Sequence, residues 1–336
     1  MVLDHPPGQT TSLPTVHRRK PSFIKLASSS LLVLAIGFII YILLRDGGKI
    51  LEQRFRFNPG LLALSFIIEC SGLLIAIPVW RSLLSCYAIH RPLRDDVRIY
   101  SYSLLALVLP GGIWNIVSRS VSYQRLGESG LSVATASVVE TLIIGVAAAG
   151  LYSITTVLQP AISFWNNPWI GLLLSLMTLS LLQPRIFHRI ANWVLRKVNR
   201  GESFPETTFS FRQILLWIGL EMSVLAIGGT AVFLLLASIT PMSQVYISST
   251  IISVIAAWAA GTSAGSLLFW LPGTPVLRDG AMVLALAPGL TLPMAVVFVL
   301  LVRLWSLVSL LVWAGLVWVF MNLQSFRENI SGSGRL

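Results

Sequence analysis

Acidic side chains are scarce in this chain: 13 Asp and Glu stand among 336 residues, against 24 Lys and Arg. Charged residues of both signs make up only 11% of it, where a water-soluble domain carries about 25%. A surface so poor in charge cannot face water on all sides. Hydrophobic residues at 55% and a mean hydropathy of +0.80 describe a chain covered mostly by lipid. Cysteine is nearly absent. Cys70 and Cys86 stand in or beside apolar stretches, which excludes a disulfide framework or a cysteine zinc cluster. His5, His17, His90 and His188 are scattered without metal-ligand spacing, so neither a metal nor a cofactor is expected. No Walker loop, no Gly-rich dinucleotide turn and no H-E-x-x-H occurs, and the histidines assemble no Ser/His/Asp triad, so no enzyme is expected. The net charge of +11 fits Lys- and Arg-rich cytoplasmic loops better than a nucleic-acid partner.

What is present is a series of long apolar runs. A spanning helix needs about 20 mostly apolar residues. The candidates are Ile24–Leu44, Pro59–Trp80, Leu131–Leu158, Trp169–Leu182, Ile214–Ile239, Val245–Trp270, a short stretch at Gly280–Leu290, and Pro293–Phe320. The expected fold is therefore an all-α polytopic membrane protein of about 8 transmembrane helices. The first run is longer than a signal-peptide core and lacks a small-residue cleavage pattern, so it reads as a retained helix. Residues 1–22 form an expected disordered cytoplasmic arm, 23–322 the membrane domain, and 323–336 a short cytoplasmic tail.

Lys and Arg set the orientation. Arg18, Arg19, Lys20 and Lys25 precede the first run, Arg81, Arg91, Arg94 and Arg98 follow the second, and Arg185, Arg189, Arg196, Lys197 and Arg200 follow the fourth. The connections near Gln159–Pro168 and Thr240–Gln244 contain neither residue. Both termini are thus expected in the cytoplasm. Arg45, Lys49, Arg54 and Arg56 oppose this, since alternation puts their loop outside. Trp80–Tyr100 and Ile186–Val198 read as amphipathic interfacial helices, or else as ordinary positive loops. Asp95-Asp96 reads as a solvated helix start.

Two apolar runs end in similar breaks. Residues 107–119 read LVLPGGIWNIVSR, and 269–280 read FWLPGTPVLRDG. Pro110, Gly111 and Gly112 in the first, and Pro272 and Gly273 in the second, are helix breakers. An arginine follows each, Arg119 or Arg278, and some way further an intramembrane charge, Glu140 or Arg303. An earlier helix in each half holds another acid, Glu69 or Glu221. The order acid, Leu-Pro-Gly, arginine, charged helix occurs twice. This predicts two halves, residues 59–158 and 211–320, related as an inverted repeat with two re-entrant or broken helices. A break at membrane depth needs protein or a water-filled cavity around it. The restarting helix offers free N–H groups to an anion, and Asn115 and Arg119 share one face. The plain alternative is a kinked helix whose Arg119 snorkels to the surface.

Each intramembrane charge costs about 2.5–3.5 kcal/mol on insertion scales, so a partner or a function should offset it. Glu140 and Arg303 hold matching places and are expected to pair across the pseudo-two-fold axis, as a core pair or gate. Glu69 and Glu221 have no evident partner. They serve either as coupling sites for a proton or cation, or as neutral acids hydrogen-bonded between helices.

The stretches WRSLLSCYAIHRPLRDDVRIY, LVLPGGIWNIVSR, ASVVETLIIG and LPGTPVLRDGAMVLALAPGL resemble the transmembrane region of lysylphosphatidylglycerol synthases, the flippase-like domain of the multiple peptide resistance factor. The second motif departs from the family pattern, with Thr274 and Val276 where it has Gly and Asp279 where it has Glu. The resemblance implies a stand-alone flippase-like domain without the synthase domain. It would bind and translocate an anionic phospholipid or lipid-linked substrate. The resemblance carries over Arg119, Glu140, Arg278, Asp279 and Arg303; with Asn115 from the shared helix face, the expected substrate-binding residues are Asn115, Arg119, Arg278 and Asp279. Membrane lipids are the expected partners, with room for a homo-oligomer. The alternative is a non-transporting scaffold for a lipid- or glycan-modifying enzyme.

Overall fold

The structure is a computed structural model that describes residues 57–109, 112–159, 167–181, 209–240, 247–271 and 273–333, with positions 183 and 189. The expected arm, the run Ile24–Leu44, the basic loop at Arg45–Arg56 and the stretch Ile186–Val198 apart from position 189 lie outside the described residues, as do Pro110, Gly111 and Pro272.

Nine α-helices carry the described chain: α1 Pro59–Ser85, α2 Leu93–Leu105, α3 Trp114–Gln124, α4 Gly130–Val157, α5 Pro168–Leu181, α6 Phe211–Ile239, α7 Ile247–Leu267, α8 Thr274–Leu286 and α9 Leu292–Ser333. Among the described residues, five helices are long and apolar enough to cross a membrane, and the protein is an all-α membrane protein. The stretch Gly280–Leu290 is the end of a short helix rather than a span, and α5 has only 14 residues. Trp80–Tyr100 is not one amphipathic helix. It holds the end of α1, a turn through Ala88 at φ 56°, and the start of α2 behind Pro92.

Helix starts follow local chemistry. Asn58 accepts from the N–H groups of Gly60 and Leu61 ahead of Pro59, and Ser210 and Gln213 form a reciprocal capping box. Such caps satisfy donors that a helix leaves open at its start. The spacing that carries Asn58 onto Ser210 also carries Glu69 onto Glu221.

These two equivalent helices, α1 and α6, run antiparallel against each other. The Asn58 N–H at the start of α1 donates to the Ser238 carbonyl near the end of α6, at 2.7 Å. At the other end Trp217 Nε1 donates to Ser82 Oγ at 3.1 Å. Gly72 lets the two helices cross closely beside Val224 and Ile227. Around this pair the packing recurs: α3 on α4 matches α8 on α9, α2 on α3 matches α7 on α8, and α4 on α7 matches α9 on α2.

The chain reverses direction between α2 and α3 and again between α7 and α8. Ser103 and Asp96 on α2 meet Arg119 and Tyr123 on α3, in that order. This makes α2 and α3 an antiparallel hairpin. Gly261 and Gly265 on α7 meet Met282 and Arg278 on α8 likewise. The two tips touch, because a Cβ at Gly112 would stand 2.8 Å from the Phe269 carbonyl oxygen. Gly145, midway along α4, approaches Leu267, which sets this meeting point at the middle of the bundle.

The core divides in two. Trp80, Leu83, Tyr123, Val133, Ile143 and Trp217 belong to one cluster. Alanines 147, 231, 257, 259 and 295 mark the other, where small side chains let backbones approach. Tryptophan N–H groups tie helices together: Trp305 donates to Ser65 at 3.0 Å and Trp313 to Ser101 at 2.9 Å. Without water in the hydrocarbon layer, such donors need protein acceptors.

Candidate headgroup site between the two hairpins

The first hairpin closes around Arg119, which is only 1% exposed. Its guanidinium lies between two rings, with Cζ 4.3 Å from the centre of Trp80 and 4.4 Å from that of Tyr100. A planar cation is attracted to the face of each ring. Nε donates to Ser103 Oγ at 2.9 Å, and Nη1 forms a buried ion pair with Glu140 on α4. Arg119 is a locked structural cation here and does not snorkel. Glu221 is buried nearby, and one carboxylate oxygen each of Glu140 and Glu221, with Asn115 Oδ1, has no hydrogen-bond partner.

A polar chain leads outward from Trp80. Its Nε1 donates to Tyr123 Oη at 3.2 Å, Tyr123 donates to Asp96 Oδ1 at 2.7 Å, and Arg81 Nε donates to Asp96 Oδ2 at 2.9 Å. Asp96 therefore is not a solvated helix-start residue. It is 2% exposed, and burial pushes its carboxyl up, while Tyr123 and Arg81 pull it down. Its neighbour Asp95 does behave as expected at the surface, pairing with Arg98 at 3.1 Å. Tyr123→Phe should strand one Asp96 oxygen and lower stability by about 1–3 kcal/mol. An unchanged thermal midpoint would show that the phenol holds nothing.

The second hairpin is more open. Arg278 lies over Trp258, with Cζ 4.8 Å from the ring centre, and its stem runs in the groove left by Gly261 and Gly265. Asp279 on α8 pairs with Arg303 on α9 at 2.9 Å, and Arg303 keeps 55% of its side chain exposed. Glu69 sits beside Trp258 and Gly228 and interacts electrostatically with Arg278.

The expected Glu140–Arg303 pair across the axis is not formed. Each half closes its own: Arg119 on α3 with Glu140 on α4, and Asp279 on α8 with Arg303 on α9. The two pairs hold corresponding places with the signs exchanged. Matching places in a repeated order along the chain need not be neighbours in space. The acids Glu69 and Glu221 do reach across: Glu69 of the first half feels Arg278 of the second, and Glu221 feels Arg119.

Sequence reading missed the Trp80, Tyr100 and Ser103 cage, the Tyr123–Asp96 chain, and Trp258. Gly261-x-x-x-Gly265 was a readable sign of close helix packing. Among the described residues, no three or more His, Cys, Asp or Glu gather as metal ligands. A cavity of about 440 Å³ between α5 and α6, lined by Leu176, Leu179, Phe209 and Ile214 among others, has no charged wall among the described residues. The charged chemistry lies instead at the hairpins.

Comparison with family models, curated proteins and solved structures finds no match to this chain. The class is defined by the architecture alone: an all-α protein whose several long apolar helices are those of a multi-pass membrane protein.

Proposed function

We propose that this protein is a flippase-like lipid transporter. It binds the polar head of a phospholipid or lipid-linked substrate between two inverted halves and passes it across a bacterial inner membrane. The observation that carries this reading is the antiparallel α1–α6 pair flanked by two hairpins whose broken tips meet at mid-bundle. Inverted halves with interrupted helices at the midplane are the common plan of secondary transporters. The resemblance to the lysylphosphatidylglycerol synthase transmembrane region points the same way and rests on short motifs.

The helix order gives a topology. In this reading α1, α4, α5, α6 and α9 cross the membrane, α2–α3 and α7–α8 enter and return from opposite sides, and the apolar run Ile24–Leu44, outside the described residues, is an expected further crossing. Arg81, Arg91, Arg94, Arg98, Arg125 and Arg212 gather at one end, and the connections 158–167, 240–246 and 287–291 at the other contain no Lys or Arg, against which stand Arg45, Lys49, Arg54 and Arg56 ahead of α1. The basic end is cytoplasmic by this bias, and both termini lie there. Arg119 then belongs to the cytoplasmic half and Arg278 to the outer half.

The two arginines have different duties in this conformation. Arg119 is fully engaged. Arg278 has no hydrogen bond or ion pair among the described residues, and its planar donors suit a phosphate. Movement of the head would exchange these roles as the hairpins shift. Among the described residues no nucleotide-binding loop supplies energy, so transport is downhill or coupled to an ion through Glu69 or Glu221.

The test is translocation of fluorescently labelled phospholipids by the purified chain in proteoliposomes. Wild type should accelerate exchange between leaflets, and Arg278→Gln should reduce the rate at least about tenfold. No acceleration by well-folded wild type, with a lipid- or glycan-modifying enzyme co-purifying, would replace transport by the scaffold reading.

A further inference from the structure

The second hairpin contains an open pair of charges. Glu69 and Arg278 interact electrostatically, yet neither closes a salt bridge or hydrogen bond among the described residues. Trp258 lies between them. Its ring is 4.8 Å from Arg278 Cζ. Its Nε1 and Glu69 Oε2 stand 3.0 and 3.4 Å from one point, the place of a Cβ on Gly228. Thr262 lies one helical turn after Trp258, and its hydroxyl is buried without a partner. Both charges are only half-buried, so neither is sealed from a ligand.

The first hairpin shows what this chain does with a carboxylate and a guanidinium that are free to meet: Arg119 closes on Glu140. Asp279 and Arg303, beside the open pair, are closed as well. Two charges of opposite sign in an apolar bundle, attracted to each other but not closed into a hydrogen-bonded pair, have their desolvation only partly offset. A ligand with one negative and one positive group, bound between them, satisfies both at once.

We infer that Glu69 and Arg278 hold the two ends of a zwitterionic lipid head of the phosphoethanolamine type, the ammonium on the Glu69 carboxylate and the phosphate on the Arg278 guanidinium. Thr262 supplies a further donor for the phosphate side. Glu69 also sets specificity by repulsion: a head with net negative charge and no ammonium leaves this carboxylate facing a like charge. The inference rests on the lipid-transport reading for its substrate, and it narrows the expected anionic lipid to a net-neutral one.

Native mass spectrometry on the full chain, delipidated and then exposed to an equimolar mixture of dioleoyl phosphatidylethanolamine and dioleoyl phosphatidylglycerol, tests it. Wild type should retain the ethanolamine lipid in preference by about tenfold. Glu69→Gln, nearly isosteric, should erase that preference, and Arg278→Gln should weaken retention of both lipids. Thermal unfolding checks that each variant is folded, and Asp95→Asn, which breaks only the Asp95–Arg98 pair on the first hairpin, should keep the preference. Equal or greater retention of phosphatidylglycerol by wild type overturns the inference, and so does an unchanged ratio in Glu69→Gln. Binding and transport separate the two claims. Selective retention without leaflet exchange keeps the headgroup site and removes the transporter. Exchange of both lipids at equal rates with equal retention keeps the transporter and removes the zwitterion site.

Discussion

Glu140→Ala is expected to cost about 3–5 kcal/mol, because it leaves a buried guanidinium without its counter-charge. Arg119 is 1% exposed and Glu140 3% exposed, so water cannot replace the lost partner. The two rings around Arg119 hold the cation in place even after the acid is gone. Arg119→Ala should be as damaging from the other side, since Glu140 already has one oxygen unpartnered. The double change Arg119→Met with Glu140→Met should recover most of the loss, as apolar side chains of similar volume commonly replace a buried ion pair without penalty. The corresponding pair in the second half is a control inside the same molecule. Asp279→Asn breaks a pair whose arginine is 55% exposed, and partly solvated pairs contribute only about 0–1 kcal/mol. Thermal unfolding in detergent, followed by size-exclusion chromatography, measures all four. Similar losses at the two pairs would mean that burial does not distinguish them.

Gly112→Val should separate the hairpin tips. Even a Cβ at this position would stand 2.8 Å from the Phe269 carbonyl oxygen, and the obstacle is backbone, which cannot rotate away as a side chain can. Overpacking of this kind costs about 1–3 kcal/mol. Its larger consequence is functional. The tips are where the two halves touch at mid-bundle, so a wedge there should uncouple them. Leaflet exchange in proteoliposomes should fall by at least about tenfold while the protein remains helical and monodisperse. Gly280→Ala, where an added Cβ meets nothing within 4 Å, should leave exchange intact. A Gly112→Val protein with normal exchange would show that tip contact is incidental to the motion.

Much of the architecture was readable from residue order. Five of the eight apolar runs fall on described helices long enough to cross a membrane, because lipid imposes length and polarity together; Ile24–Leu44 lies outside the described residues, and Trp169–Leu182 and Gly280–Leu290 meet only shorter helices. The chain reverses beside Gly112 and Gly273, close to the two predicted breaks, because few residues other than Pro and Gly end a helix so firmly. The duplicated order of charges was also plain. What the sequence could not supply was which charge meets which. Glu140 and Arg303 look paired on paper because they occupy equivalent places, but equivalence under a two-fold axis is not contact. Contact depends on the register of α3 against α4 and of α8 against α9, which is set by packing along whole helices. The aromatic cage was hidden for the same reason. Trp80, Tyr100 and Ser103 come from two helices and reach Arg119 only after the first hairpin folds back. Asp96 was misplaced because its sequence neighbours are arginines, while its spatial neighbours include Tyr123.

The antiparallel union of α1 with α6 has a consequence for how the molecule is made. Its principal seam joins segments separated by about 150 residues, which at about 5–20 residues per second is roughly 8–30 s of synthesis. During that interval the crossing face of α1, with Gly72 bare and Glu69 lacking its later neighbours Gly228, Trp258 and Arg278, must be sheltered by insertion machinery or by lipid. Ribosome stalling or truncation before α6 emerges would thus yield a half-molecule with an unguarded acid in the bilayer, a natural target for membrane proteases.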